Sequence, residues 1–124
     1  MGEFGMYQDG KENPIVDKSE DFAIQIIRMC QKLESEKKEY TLTNQIKRSG
    51  TSIGANVAEA TFAFSKAEFY AKMSIALKEA RETSYWLKLL WKTDYLDNDQ
   101  YEEHKSKCDE LMRILTSILK NRET

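Results

Sequence analysis

Apolar side chains recur every three or four residues along four segments of this chain, with polar side chains between them. That spacing puts the apolar residues on one face of an α-helix, as expected for a helix packed on one side. The pattern predicts helices over residues 19–36, 43–63, 66–93 and 99–120. The apolar faces contain Phe22, Ile26, Met29 and Leu33, then Ile46, Ile53 and Val57, then Phe69, Met73, Ala76, Ala80, Leu87 and Leu90, and finally Tyr101, Cys108, Leu111, Leu115 and Leu119.

The residues that start each helix support these boundaries. Ser19 and Thr43 are candidate N-caps of the first two helices, because their side-chain oxygens can accept backbone N–H groups of the first turn. Ser65 with Glu68 forms a capping-box pattern before the third helix, and Asp97 with Gln100 can cap the fourth. Short links make consecutive helices antiparallel neighbours, so the sequence predicts an all-α, antiparallel up-and-down four-helix bundle.

The second helix carries two adjoining stripes, one of small or apolar residues and one of polar residues. Each Gly in a helix costs about 1 kcal/mol relative to Ala, so this segment needs close neighbours to persist. We therefore expect it to be the central helix of the bundle, with the polar stripe lining either a subunit interface or a polar core. The small stripe is Ile46, Gly50, Ile53, Val57 and Ala60, and the polar stripe is Gln45, Ser49, Ser52, Asn56 and Glu59.

Length and composition fit one helical domain. The chain has 124 residues, 40% hydrophobic and 32% charged, with a single Pro and a net charge of −2. We assign residues 1–16 to a flexible leader, 17–121 to the bundle and 122–124 to a frayed end; residues 1–5 resemble a cloning remnant. No apolar run approaches the roughly 20 residues needed to cross a bilayer. Cys30 and Cys108 lie at helical spacing among apolar residues, as buried thiols of a cytoplasmic protein would.

The carboxylates do not form a recognisable catalytic or metal site. Glu59 and Glu79 would differ in height by roughly 15 Å if the second and third helices are antiparallel, at about 1.5 Å per residue. Di-iron bundles use Glu-x-x-His motifs, whereas Tyr101 stands three residues before His104, the only histidine. Glu79 and Glu82 are instead candidate partners of Arg48, and together with the polar stripe they form the candidate interface or core set. We predict no catalytic residue, no metal and no cofactor.

Basic and aromatic residues allow a second interpretation. Lys47, Arg48, Lys66 and Arg81 are candidate nucleic-acid contacts, although most basic residues here have acidic neighbours, as solvated helix faces usually do. Tyr85, Trp86, Trp91 and Tyr95 gather near the end of the third helix. They would stack on bases in a nucleic-acid-binding protein, or lie in the core or a subunit interface otherwise.

The segment RSGTSIGANVAE at 48–59, with SKAEF at 65–69 and IALKEARE at 75–82, resembles the four-helix-bundle family encoded in intervening sequences of bacterial 23S ribosomal RNA genes. The accessory protein of diversity-generating retroelements is similar to that family. The resemblance implies a ring of bundles, typically a homopentamer, with no catalytic activity and an undefined biochemical role. The retroelement relatives bind a reverse transcriptase and nucleic acid through strongly basic surfaces, whereas this chain is acidic overall.

These observations predict a non-enzymatic homo-oligomer, an assembly or scaffold protein that forms a closed ring, most simply a pentamer. The alternative is a nucleic-acid-binding accessory factor that partners ribosomal RNA or a retroelement reverse transcriptase. Steep loss of RNA affinity with rising salt would identify the alternative, because phosphate contacts release counterions.

Overall fold

The computed structural model describes residues 13–123, and side chains as far as residue 122. Four helices, α1 (Pro14–Lys37), α2 (Thr41–Ala60), α3 (Lys66–Lys92) and α4 (Asn98–Lys120), are followed by a 3₁₀ turn at Asn121–Glu123. In sequence order, each helix packs on the next, and α4 returns to α1 along the least extensive of the four seams. The described part of the chain contains no strand, and the predicted antiparallel four-helix bundle is confirmed.

The predicted apolar faces meet in one core that runs the length of the bundle. Large side chains from all four helices are fully buried there, among them Phe22, Ile53, Leu87 and Leu111. Each such side chain stabilises the fold by about 1.5–3 kcal/mol relative to an exposed position. Packing, rather than helix propensity, therefore holds the Gly-containing α2 in place.

The first helix begins at Pro14, five residues before the predicted start at Ser19. Proline suits the first turn because the N–H it lacks would have no intrahelical acceptor there, and its φ angle is already helical. Residues 14–16, predicted to end the leader, are thus helical, and Ile15 is buried. Ser19 is a buried helical residue whose hydroxyl donates to the Val16 carbonyl, so its prediction as an N-cap is wrong.

The second helix also begins earlier than expected, at Thr41 rather than after Thr43. The Glu39 carboxylate accepts the backbone N–H groups of Leu42 at 2.9 Å and Thr43 at 3.0 Å, and this replaces the predicted cap. Thr43 is buried inside the helix and donates its hydroxyl to the Glu39 carbonyl. The sequence analysis did not identify Glu39 as a cap, because Glu is not among the residues that usually cap a helix N-terminus.

The caps of α3 and α4 confirm the sequence prediction. Ser65 Oγ accepts the Glu68 N–H at 3.0 Å, while the Glu68 carboxylate accepts the N–H of Phe64 instead of Ser65. Asp97 and Gln100 form the complete reciprocal pair, at 2.8 and 2.9 Å. At the C-terminus, residues 122 and 123, assigned to the frayed end, belong to the 3₁₀ turn Asn121–Glu123. The proposed leader up to residue 12, including the suggested remnant at 1–5, and Thr124 lie outside the described residues.

Two glycines of α2 allow α1 to approach closely. A Cβ atom built on Gly50 would lie 3.0 Å from Ile26 Cγ2, and one built on Gly54 would lie 3.2 Å from the Ser19 carbonyl oxygen. Both distances are tighter than most real Cβ contacts. The small stripe of α2 is therefore explained by contact within the chain, where α1 crosses it.

Candidate functional site

The polar stripe of α2 runs along its seam with α3, but only one of its hydroxyls reaches the core. Ser49 is fully buried, and its Oγ lies 2.9 Å from the Thr83 hydroxyl of α3. The Thr83 hydroxyl also lies 2.8 Å from the Glu79 carbonyl, and Ser49 Oγ lies 3.4 Å from the Ile46 carbonyl of its own helix. This chain of bonds satisfies two hydroxyl groups that would otherwise cost about 1–3 kcal/mol each when buried.

The remaining stripe residues bond locally or face solvent. Asn56 Nδ2 donates to the Ser52 carbonyl, and the Ser52 hydroxyl donates to the Arg48 carbonyl. Gln45 and Glu59 are exposed. The stripe therefore lies at the edge of the α2–α3 seam. Ser52 and Asn56 make their hydrogen bonds within α2, and only Ser49 links the stripe to the core.

Removing one partner of the buried hydroxyl pair should cost more than removing both. Thr83→Val is expected to destabilise the fold by about 1–3 kcal/mol, because the buried Ser49 hydroxyl loses its hydrogen bond to α3 and keeps only the longer contact with the Ile46 carbonyl. Adding Ser49→Ala should recover part of that loss, which denaturant unfolding of the two single variants and the double variant would measure. Strict additivity of the three values would contradict the coupling.

Charged residues join α2 to α3 above the polar stripe. The Arg48 guanidinium bonds to both Glu79 and Glu82, so the structure combines the two pairings that the sequence offered as alternatives. Further along the seam, Glu59 pairs with Lys72 at 2.8 Å. Glu59 and Glu79 thus belong to separate ion pairs, and no cluster of three potential metal ligands occurs among the described residues.

The Arg48 contact should be visible in a carboxyl titration. Its hydrogen bond, helped by the Trp86 Nε1–H, holds the pKa of Glu82 below the ordinary value. Arg48→Gln is therefore expected to raise the pKa of Glu82 toward its ordinary value. The stabilisation that Arg48 gives is present above the ordinary carboxyl pKa and is lost as pH falls through the lowered pKa of the folded protein.

NMR titration of side-chain carboxyl carbons would measure this shift, with Lys105→Gln on α4 as the charge-matched control. Lys105 pairs with Asp109 on its own helix, so its removal should leave Glu82 unchanged. An unaltered Glu82 titration in Arg48→Gln would contradict the assigned contact.

The four candidate nucleic-acid contacts do not converge on one surface. Lys47 pairs with Glu34 of α1 at 2.9 Å, whereas Arg48 faces the opposite neighbour, α3. Lys66 is exposed at the first position of α3. Arg81 is exposed farther along α3, on the side that faces α4.

The aromatic residues of α3 have separate environments. Trp91 stacks on Tyr101 of α4 with ring centroids 4.4 Å apart, so it belongs to the α3–α4 packing. Trp86 is half-buried beside Glu82, and Tyr85 is 54% exposed. Only Tyr85 presents most of its ring to solvent, which does not make a row of stacking platforms.

The remaining candidate reactive groups are isolated. Burial raises the pKa of both thiols, Cys30 and Cys108, to about 12, and both are free and buried as predicted. A thiol that stays protonated is a poor nucleophile and a poor metal ligand. His104 is half-buried on α4, where burial lowers its pKa.

Apolar side chains on the outer surface form two areas that the sequence analysis did not identify. The first, which we name the α1–α2 face, contains Ile24 and Ile27 of α1, Ala55 and Ala58 of α2, and Phe62 after α2, all exposed. Positions 55, 58 and 62 follow helical spacing along one outer stripe. Ile27 could be distinguished from a core residue only by its angle on the helix, about 130° from the centre of the buried stripe.

The second set, which we name the α3 face, consists of the exposed Ile75 and Tyr85 of α3, which lie ten residues apart, about 15 Å along the helix. Phe64, 95% exposed, lies in the turn between α2 and α3.

Comparison with known proteins supplies the context for this architecture. A family model described as "23S rRNA-intervening sequence protein" matches residues 11–117. A crystal structure of a protein of unknown function from the S23 ribosomal protein family of Bacteroides thetaiotaomicron VPI-5482 is 48% identical, with a TM-score of 0.84. The match covers 86% of this chain and 98% of that one. A comparison with curated proteins gives no match. Within the described residues, no helix combines the length and apolar character needed to cross a membrane.

Proposed function

The chain belongs to the family of 23S rRNA-intervening sequence proteins, and we propose that it acts as a non-catalytic protein that self-assembles into a closed homo-oligomer. The proposal assigns it no cofactor, metal or catalytic residue. As a scaffold, it would contact other molecules through the outside of the oligomer, which presents the same surface once on each copy. The buried free thiols fit a reducing compartment, and we place the assembly in the cytoplasm.

The observation that carries the proposal is the exposure of large apolar side chains in a small protein whose core is already complete. Phe62 and Phe64 are 75% and 95% exposed, and Ile24, Ile27 and Ile75 are each more than one-third exposed. Apolar surface gains about 25 cal/mol for each Å² removed from water. Several large apolar side chains exposed on one small protein favour protein–protein contact as the reason for their exposure.

The position of the two faces favours a ring over a two-fold dimer. They occupy different helices and differ in composition, so contact between unlike faces joins successive copies head to tail. Such a contact closes into a ring when its rotation divides a full turn, and a five-membered ring is the predicted size. The α2–α3 seam would fix the register of neighbours through its charged and polar edge, including Gln45, Asn56 and Glu59.

Light scattering coupled to size-exclusion chromatography tests the proposal with the unmodified chain. The expected mass is five times the 14.5 kDa of one copy and stays constant on dilution through the low micromolar range. A mass of one copy at all concentrations would overturn the proposal. A mass of two copies would replace the ring by a contact between like faces.

A further inference from the structure

A pocket of about 360 Å³ lies between α3 and α4, near the C-terminal end of α4. Its walls include three cationic side chains, Arg81 of α3, Lys120 of α4 and Arg122 of the following turn. Two leucines, Leu77 and Leu119, form its apolar floor. The volume is within the range of pockets that hold small ligands.

These cations differ from most others in the bundle because their charge is not matched nearby. Arg48, Lys47 and Lys72 each pair with a carboxylate, whereas Arg81, Lys120 and Arg122 form no ion pair with any residue that the structure describes. None of the described side chains that line the pocket is acidic. Three like charges beside one concave surface repel one another, and an anion bound between them would relieve that repulsion.

Two hydroxyl groups complete the set of donors. Ser74 and Thr116 line the same pocket from α3 and α4, and neither hydroxyl bonds to another described residue. The pocket thus offers two guanidinium groups, one ammonium group and two hydroxyl groups. Guanidinium groups match the oxygen spacing of phosphate and often bind it through two parallel hydrogen bonds.

A structural role at the helix end explains only part of this arrangement. Basic residues near a helix C-terminus stabilise the partial negative charge there, which accounts for Lys120 and Arg122. It does not account for Arg81 and Ser74, which lie inside α3 and line the pocket from its opposite wall. The dipole contributes only about half a negative charge, against three positive side chains.

We propose that the α3–α4 pocket binds the phosphate group of a small phosphorylated molecule, held by Arg81, Lys120 and Arg122. A phosphate monoester carries a charge of about −1.5 to −2 at neutral pH, which offsets about half to two-thirds of the charge of the three cations. The apolar floor would contact the organic part of the ligand. Arg81 lies one helical turn from Tyr85, so the pocket borders the α3 face, and binding is measured on the protein in its native state of assembly.

Isothermal titration calorimetry at low salt tests this with inorganic phosphate, pyrophosphate and a nucleoside 5′-monophosphate. Binding of phosphate alone to the same extent as the monophosphate identifies a free-phosphate site, and tighter binding of the monophosphate identifies an organic ligand; either result supports the proposal. Arg81→Gln should weaken binding about tenfold or more, since a charge-assisted bidentate contact is lost. Arg81→Lys should recover part of the affinity.

Lys88→Gln is the matched control, because Lys88 is exposed on the same helix and its loss changes net charge equally. It should leave affinity within about twofold. Equal weakening by Arg81→Gln and Lys88→Gln would overturn the proposal, as would no binding of any probe at millimolar concentration. Tighter binding of an RNA that contains only internal phosphodiesters would also overturn it and indicate a nucleic-acid surface. Circular dichroism confirms that each variant is folded.

Discussion

Ile27→Glu is expected to convert the oligomer into single copies. The substitution places a carboxylate on the α1–α2 face, where association would have to bury it without a partner. Tyr85→Glu should have the same effect from the other side, because it disrupts the α3 face. Each variant should remain folded, since both positions are outside the core. Light scattering would measure the change in mass.

Mixing the two variants gives a sharper result than either alone. Ile27→Glu retains an intact α3 face, and Tyr85→Glu retains an intact α1–α2 face. One productive contact therefore remains in the mixture, and the expected product is a dimer of one copy of each, with no larger ring. Contact between like faces would instead leave one of the single variants fully assembled.

Ser106→Glu serves as the control for added negative charge, because Ser106 is exposed on α4 and outside both faces. It should assemble as the unmodified chain does. Full assembly of both Ile27→Glu and Tyr85→Glu would contradict the assignment of the interface to these faces.

Gly54→Leu is expected to destabilise the packing of α2 against α1. Its Cβ would lie 3.2 Å from the Ser19 carbonyl oxygen, and the rest of the side chain must displace the backbone of α1. Overpacking of this kind typically costs about 1–3 kcal/mol, which outweighs the gain of up to about 1 kcal/mol from replacing a helical Gly. Gly54→Ala should be nearly neutral, because the two effects are then similar in size.

Chemical denaturation at one fixed protein concentration measures both variants, since association shifts apparent stability. Ser106→Leu on α4 is the control, because an exposed position should change by no more than about 0.5 kcal/mol. A Gly54→Leu protein as stable as the control would show that α1 and α2 do not require the small residue.

Helix starts that depend on local contacts were predictable from the sequence, whereas those that depend on contacts between helices were not. Ser65 and Asp97 were identified as caps because a side-chain oxygen three residues before its N–H donor is a local relation. Ser19 has a similar side chain, but it packs against Gly54 of α2, and α1 begins N-terminal to it. Pro14 was read as part of the leader, although its first-turn preference was the available signal.

In the polar stripe of α2, too, the sequence could not show which residues are buried. Helical periodicity grouped Ser49 with Asn56 on one stripe, yet only Ser49 faces Thr83 in the core. The side chains of such a stripe cover a range of angles around the helix axis. The rotation of α2 about its axis, relative to α3, decides which part of that range is buried. The exposed Ile24 and Ile27 lie away from the buried stripe of α1, so their angle on the helix was the available signal of their exposure.

Cross-linking of a chain that carries Ile27→Cys and Tyr85→Cys tests the contact between unlike faces most directly. The native Cys30 and Cys108 are buried with pKa values of about 12, so a short bis-maleimide should react only at the two new thiols. The predicted result, on a denaturing gel, is a ladder of linked copies that stops at five, with no links in either single-cysteine variant. Absence of a ladder, or efficient linking of one single-cysteine variant to itself, would contradict a ring built from these two faces.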